Sequence, residues 1–431
     1  MSAKPNAIIF EYQIGALHSF TPVLVCSLFP EGKEPLVAHV RIVDKYSIHP
    51  PTTYLIKSFR NLLESKKGVI EYRQANLTVP AVVQKCVEDP APDGRPYTYV
   101  FDNSGNFYYN LPSEVHVEQS LKPSLNIAQA VAATNAANPS TVKAYVRGLP
   151  PFYNHKDPPE KYKEGDDRAW KPLGNRGIWW HESVRAIGNI KDLPLVVLRA
   201  GYYYGEGLVY SECTSAIALG AVYKELKTEM KLYWSRNLRK NTIHIEDLAR
   251  AHWMAAEWIA STGRNNADAL IGVPIPPSQS PLVTPANTST LSTPLPPPTE
   301  SITVPVFNVV DGSDTTQGAI SDAISAYFGI QAVWLDERLT ELSGAKLQKF
   351  TEDVNDVHVG AWDAMVREAT PRIKETPISP YTEAHQVEEH GCSLDGSKIR
   401  DVLGFKPTRG KFDEQAVRLY VEWCRAEGVW P

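Results

Sequence analysis

The chain opens with Ala7-Ile8-Ile9-Phe10, four apolar residues in a row, followed by a mixed pattern that fits a helix. A short apolar run of this kind reads as a buried strand. The alternation continues through the first half. AHVRIVDKY (38–46), GVIEYRQANL (68–77), YTYVFDNSG (97–105) and TVKAYVRG (141–148) have strand character, and LPLVVLRAG (193–201) is almost wholly apolar. Helical patterns lie between them, the longest over 116–137 and another from Trp179 to Ile190. Strands alternating with helices predict βαβ units around a parallel sheet whose apolar strands are buried on both faces.

Beyond residue 201, SECTSAIALGAVYKELKTE (211–229) and IHIEDLARAHWMAAEWIAS (243–261) carry a helical apolar period. The composition then breaks. Residues 273–305 are crowded with Pro, Ser and Thr, too poor in apolar surface to order themselves, and predict a mobile insert. VPVFNVVDG (304–312) restores strand character, and a mostly helical region runs to Pro431. The expected organisation is an α/β, doubly wound (Rossmann-like) parallel sheet over 1–262, with an excursion at about 206–240. The flexible insert at 273–305 and a smaller, mostly helical C-terminal substrate region at 306–431 follow.

Composition narrows the partners. Apolar residues make up 43% and charged residues 22%, and the formal net charge is −5, which argues against nucleic-acid and anionic-membrane partners. No apolar run is long enough for a membrane span, and the N-terminus lacks the blocks of a signal peptide. Five cysteines are scattered without a CxxC pair, and the histidines without HExxH. A reduced, cytoplasmic setting without a metal site is the expectation.

Two motifs carry a resemblance. LRAGYYYGEG (198–207) and NTIHIEDLARAHWMA (241–255) resemble, in order, the segment after the sixth strand and the HxxD-type helix start of extended short-chain dehydrogenases/reductases. That group includes NAD-dependent epimerase/dehydratase-like proteins. Segments 307–330, 354–368 and 397–431 are similar to the progesterone 5β-reductase/iridoid synthase branch and to its degenerate fungal-type members. The resemblance implies a Rossmann-like fold, a glycine-rich turn for a dinucleotide after the first strand, and a Tyr/Lys pair for proton transfer.

The chain departs from that pattern at both working parts. After the first strand stand Glu11 and Tyr12, a carboxylate and a ring where phosphate would lie, and glycine arrives only at Gly15. Asp44, ending the second strand, matches the acid that holds the adenosine ribose. The serine position after the fifth strand falls near Leu149, and the tyrosine positions on the following helix have become Trp179 and Trp180. An indole N–H donates one hydrogen bond but does not exchange its proton usefully near neutral pH.

These losses set the functional expectations. Trp180, Tyr153 and His181 are the candidate catalytic residues. Tyr108, Leu149, Phe152, Trp179, Tyr202 and Tyr203 are the candidate pocket lining, an aromatic edge suited to a hydrophobic small molecule. Gly15 and Asp44 would hold a cofactor if one is kept. The leading expectation is a fold repurposed for non-redox isomerisation or cyclisation of a hydrophobic specialised metabolite, pericyclase-type chemistry included, with no cofactor. The alternatives are an NADPH-dependent enone or ketone reductase and a non-catalytic metabolite-binding scaffold.

Overall fold

A computed structural model describes residues 3–11, 20–109, 111–155, 160–335 and 345–431. The six strands expected in the first half are present: β1 (Asn6–Phe10), β2 (His39–Asp44), β3 (Ile70–Gln74), β4 (Tyr99–Asp102), β5 (Ala144–Leu149) and β6 (Leu195–Ala200). Later come β7 (Tyr202–Tyr204), β8 (Met230–Leu232), β9 (Thr242–His244), β10 (Gly272–Ile275), β11 (Ile302–Val309) and β12 (Ala332–Trp334). One eight-stranded sheet has the order β10-β11-β6-β5-β4-β1-β2-β3. Its pairings are parallel apart from β10 with β11. The chain returns to β4 on the other side of β1, so the order reverses between β1 and β4. In open parallel sheets that reversal leaves a crevice beyond the strand ends.

The apolar runs explain the sheet. Every residue of β1 and β6 is buried, as expected for parallel strands covered on both faces. One apolar cluster joins one face to the helices Phe20–Leu28 and Ile245–Thr262, and a second joins the other face to Lys122–Ala137. Two buried arginines brace the layers. Arg147 pairs with Asp102 at 2.9 Å with both side chains fully buried, and Arg199 donates to Asn308 and to the Ala169 carbonyl.

The segment 273–305 is bounded by strands of the main sheet, since β10 and β11 form its two ends. Residues 276–301 contain no helix or strand, yet they are held at several points. The His181 ring meets the Pro276 carbonyl at 2.7 Å, Glu182 accepts from the Ser278 amide, and Arg185 donates to the Pro297 and Glu300 carbonyls. The return strand β11 places the seventh parallel strand after the insert, so the sheet is completed from both sides of it.

The C-terminal region is mostly helical. Helices Gln317–Phe328 and Ala345–Glu368 pack on the helix Glu212–Leu226, and β8 pairs with β12 beside them. At the start of the helix Ile245–Thr262 the capping residue is His244. His244 Nδ1 accepts from the Glu246 amide, while the Asp247 carboxylate receives the amides of Thr408 and Arg409. Among the described residues no helix is long and apolar enough to cross a membrane.

Candidate active site

Parallel strands bring their C-terminal ends to one edge, and two sites form there. The first is a narrow slot of about 30 Å³ over the ends of β1, β4, β5 and β6. Glu11 stands on its wall, accepting from the Thr21 hydroxyl at 2.6 Å. His252 Nδ1 donates to the Leu248 carbonyl, which leaves a lone pair on Nε2. Burial lowers the His252 pKa to about 4 and keeps the ring neutral. Its Nε2 and the Asn103 Nδ2 are both buried without a partner, and both side chains line the slot. An acceptor beside a donor is the complement of a primary carboxamide. Gly148 makes room for them: a Cβ there would lie 2.7 Å from Asn103 Oδ1 and 3.3 Å from His252 Nε2.

The expected site residues divide among different places. Trp180 reaches the slot but is chiefly a pillar. It donates to the Asn106 carbonyl at 3.0 Å, meets Phe107 and Phe152 edge-on, and covers the Arg147 guanidinium. Leu149 also lines the slot. Tyr203 lines both the slot and the neighbouring cavity, which Phe152 and Tyr202 line as well. Trp179 turns elsewhere, into a separate apolar cluster with Val117, Leu121 and Leu125, against which Val283, Leu291 and Leu295 of the insert pack. Tyr153 and His181 are bonded to each other at 3.2 Å in the core. Burial raises the Tyr153 phenol far above its usual range and lowers His181 to about 4, so both stay neutral and tied to neighbours. Tyr108 is 43% exposed at the surface. Asp44 is fully buried at the end of β2, its Oδ1 accepting from the Tyr46 amide. Gly15 and Tyr12 lie outside the described residues.

The second site joins Tyr202 to three residues that sequence reasoning passed over, Glu212, Lys240 and His390. A cavity of about 60 Å³ at the sheet edge adjoins one of about 190 Å³ under the C-terminal helices, and both are lined by Tyr202, Glu212 and Gln386. Where they meet, Lys240 Nζ lies 3.4 Å from the Tyr202 hydroxyl, 3.2 Å from His390 Nε2 and 3.6 Å from Glu212 Oε2. Glu212 Oε1 is 3.3 Å from the same His390 nitrogen. Burial alone would raise the Glu212 carboxyl, but Lys240 and then His390 outweigh it and hold it ionised, well below the usual range. Its place in the first turn of a helix capped by Ser211 favours the same charge. Burial, reinforced by Glu212, pushes the Tyr202 phenol well up, so its proton stays on. His390 Nδ1 donates to the Glu388 carbonyl. Its Nε2 can therefore accept from Lys240 when bare or donate to Glu212 when protonated.

The four residues come from β7, the start of the helix Glu212–Leu226, the turn before β9 and the loop after Ala384–Val387. Only Tyr202 stood in a motif. A lysine 38 residues downstream of Tyr202 leaves no local signal.

No family model matches the chain, and no curated protein matches it in sequence. Solved structures do. The enzyme WbmG of Bordetella bronchiseptica, in complex with NAD, superposes with a TM-score of 0.56 at 14% identity, over 99% of this chain and 96% of that one. UDP-glucose 4-epimerase from Thermotoga maritima, with UDP-glucose, gives 0.55 at 12% identity, over 98% and 99%. The ADP-L-glycero-D-manno-heptose-6-epimerase of Helicobacter pylori gives 0.55 at 14%, over 98% and 97%. The chain shares the fold of epimerase/dehydratase-type short-chain dehydrogenases.

These comparisons correct the expectation of no cofactor. Similar structures were crystallised with NAD or NADH, so the fold is one that holds a nicotinamide dinucleotide. Asp44 ends β2 where a ribose acceptor belongs, and the unpartnered Asn103 and His252 atoms suit a carboxamide. The turn that would meet the phosphates, 12–19, lies outside the described residues.

Proposed function

We propose that the chain is an enzyme that moves a proton on a largely apolar small molecule, an isomerisation or ring closure, at the Tyr202–Lys240–Glu212–His390 cluster. The observation that carries this reading is the position of Lys240, within 3.6 Å of all three partners, at the junction of two cavities. Buried acid and base groups pushed apart in pKa mark functional sites.

The roles follow from the charge states. Tyr202, its phenol held protonated by burial, donates to a substrate oxygen, and Lys240 stabilises the phenolate that remains. Glu212, held ionised, receives a proton from substrate carbon either directly or through His390. His390 carries that proton from Glu212 to a second carbon of the substrate as its Nε2 bond passes to Lys240, and the enol oxygen gives its proton back to the Tyr202 phenolate, so the isomer leaves with every group in its starting state. The Tyr/Lys partnership absent from Trp179 and Trp180 is thereby supplied from β7 and the turn before β9. The apolar walls of the larger cavity, among them Leu219, Met230, Ile320 and Phe350, exclude water and strengthen each charge effect.

A second reading is favoured by the NAD-bound structures of the same fold and by the resemblance to the 5β-reductase branch: reduction of an enone or ketone. Asp44, Asn103 and His252 would hold the dinucleotide, which supplies hydride when bound, and Tyr202 would again protonate the substrate.

Proton exchange separates catalysis from simple binding. The protein, incubated in D2O with a panel of hydrophobic enones and 1,3-dicarbonyls, is expected to exchange substrate α-protons as followed by NMR. Lys240→Met should abolish the exchange. Exchange unaffected by that change would remove the cluster from the chemistry.

A further inference from the structure

Arg176, on the helix Gly174–Gly188, lines the smaller cavity and is only 5% exposed. A buried guanidinium is expensive unless it is paired. Here Nη1 donates to the Phe107 carbonyl and Nη2 to His385 Nε2 at 3.3 Å, while Nε is buried without a partner. Among the described residues no carboxylate forms an ion pair with it. Of five N–H groups, three are unused. The faces of Phe152 and Tyr109 hold the group in place at 3.8 and 5.3 Å.

The balancing charge is one residue away. Burial and then Arg176 itself lower His385 to about 4, so the ring is neutral and its Nε2 is an acceptor. Its Nδ1 lies 3.0 Å from Glu383 Oε2. Arg176 therefore faces the cavity as a cation without a direct ion pair, with Glu383 and Glu212 acting on it only as nearby charges.

We propose that Arg176 anchors a single carboxylate or enolate on an otherwise apolar substrate, whose hydrocarbon part lies in the larger adjoining cavity. The inference rests on those cavities being the substrate site of the preceding section and adds the substrate class. A monoanion fits better than a phosphate dianion. Lys240 is already occupied by Glu212, and Glu212, Glu388 and Glu383 stand around the two cavities. One cation can balance one charge. The apolar requirement comes from the larger cavity, whose wall includes Leu219, Leu232, Ile324 and Val354.

Calorimetric titration with decanoate, decanol and decyl phosphate tests this. The unaltered protein should bind decanoate roughly ten- to a hundredfold more tightly than decanol, the range of a charge-assisted hydrogen bond. Decyl phosphate should bind more weakly than decanoate. Arg176→Gln should erase the preference while leaving decanol binding unchanged, which also reports that the variant is folded. Arg176→Lys should keep part of it. Equal binding of decanoate and decanol, no binding of either, a preference that survives Arg176→Gln, or tighter binding of decyl phosphate would each overturn the proposal. An Arg176-dependent preference in a protein that exchanges no substrate protons would sink the catalytic reading alone.

Discussion

Lys240 Nζ stands 3.4 Å from the Tyr202 hydroxyl, and its ammonium also lies 4.8 Å from the centre of the same ring. One lysine thus serves the phenol twice, through its oxygen and through its face. A phenolate formed at Tyr202 would be stabilised at once. Tyr202→Phe removes the proton and leaves the packing. Turnover is expected to fall about 10²- to 10⁴-fold, the range of general acid catalysis, with little change in melting temperature. A rate within a factor of three of the parent would exclude Tyr202 as the acid.

Acid should weaken the protein earlier than its carboxylates alone would allow. His116, His181, His252 and His385 are each lowered to about 4, and His155 to about 3, with burial the largest cause in every case. The unfolded chain takes up these protons near pH 6.5, so between about 6.5 and 4 it binds more protons than the folded one. Stability is full above that window and falls as pH drops through it. Urea midpoints at pH 7.5, 6 and 5 should decline steadily; a flat series would refute the assignment.

Below that window Glu212 contributes with the same sign. Its folded pKa is depressed, so its stabilisation is present above about pH 4.3 and fades as acid protonates it. Glu212→Gln should lower stability above pH 5 without changing the slope there, and should flatten the lowest part of the pH–stability curve; an unaltered acid limb would exclude Glu212 from it.

The dinucleotide ends can be tested separately. Asp44→Ala should weaken NADH binding about tenfold, the effect of losing a hydrogen bond to a charged group. Gly148→Ala pushes a methyl group between Asn103 and His252 and should weaken it at least as much. Titration followed by quenching of tryptophan fluorescence reads both. If both variants bind as the parent does, the nucleotide does not occupy this edge.

Trp179 ties the insert to the fold through its cluster with Leu291 and Leu295. Trp179→Ala should cost about 3–5 kcal/mol, as large buried aromatics do, and should speed proteolysis within 276–301. Cleavage at the parental rate would mean that the polar ties to His181, Glu182 and Arg185 hold the segment without the Trp179 cluster.

Much of the fold was legible because parallel strands buried on both faces must be apolar, and β1 and β6 announce themselves by that requirement alone. The position of Asp44 was legible too, since it follows directly from the end of β2. The candidate site was legible only in part. Tyr202, Tyr203, Phe152 and Leu149 were named from their places at or just after strand ends, and they line the cavities at that edge. Trp179 and Trp180 looked alike in sequence, yet the roughly 100° between neighbours on a helix sends Trp179 to the insert and Trp180 to the sheet edge. Tyr153 and His181 had the chemistry of a catalytic pair, but they spend their polar atoms on each other and on the Pro276 carbonyl.

By itself the sequence determined the layers. The period of apolar residues is a local property and specifies which segments become strands and helices and which faces they bury. Only the tertiary structure decided the chemistry. Tyr202, Glu212, Lys240 and His390 span almost two hundred residues, and no spacing rule connects them. Their charge states depend on burial and on one another, quantities that exist only once the C-terminal helices close over the sheet edge.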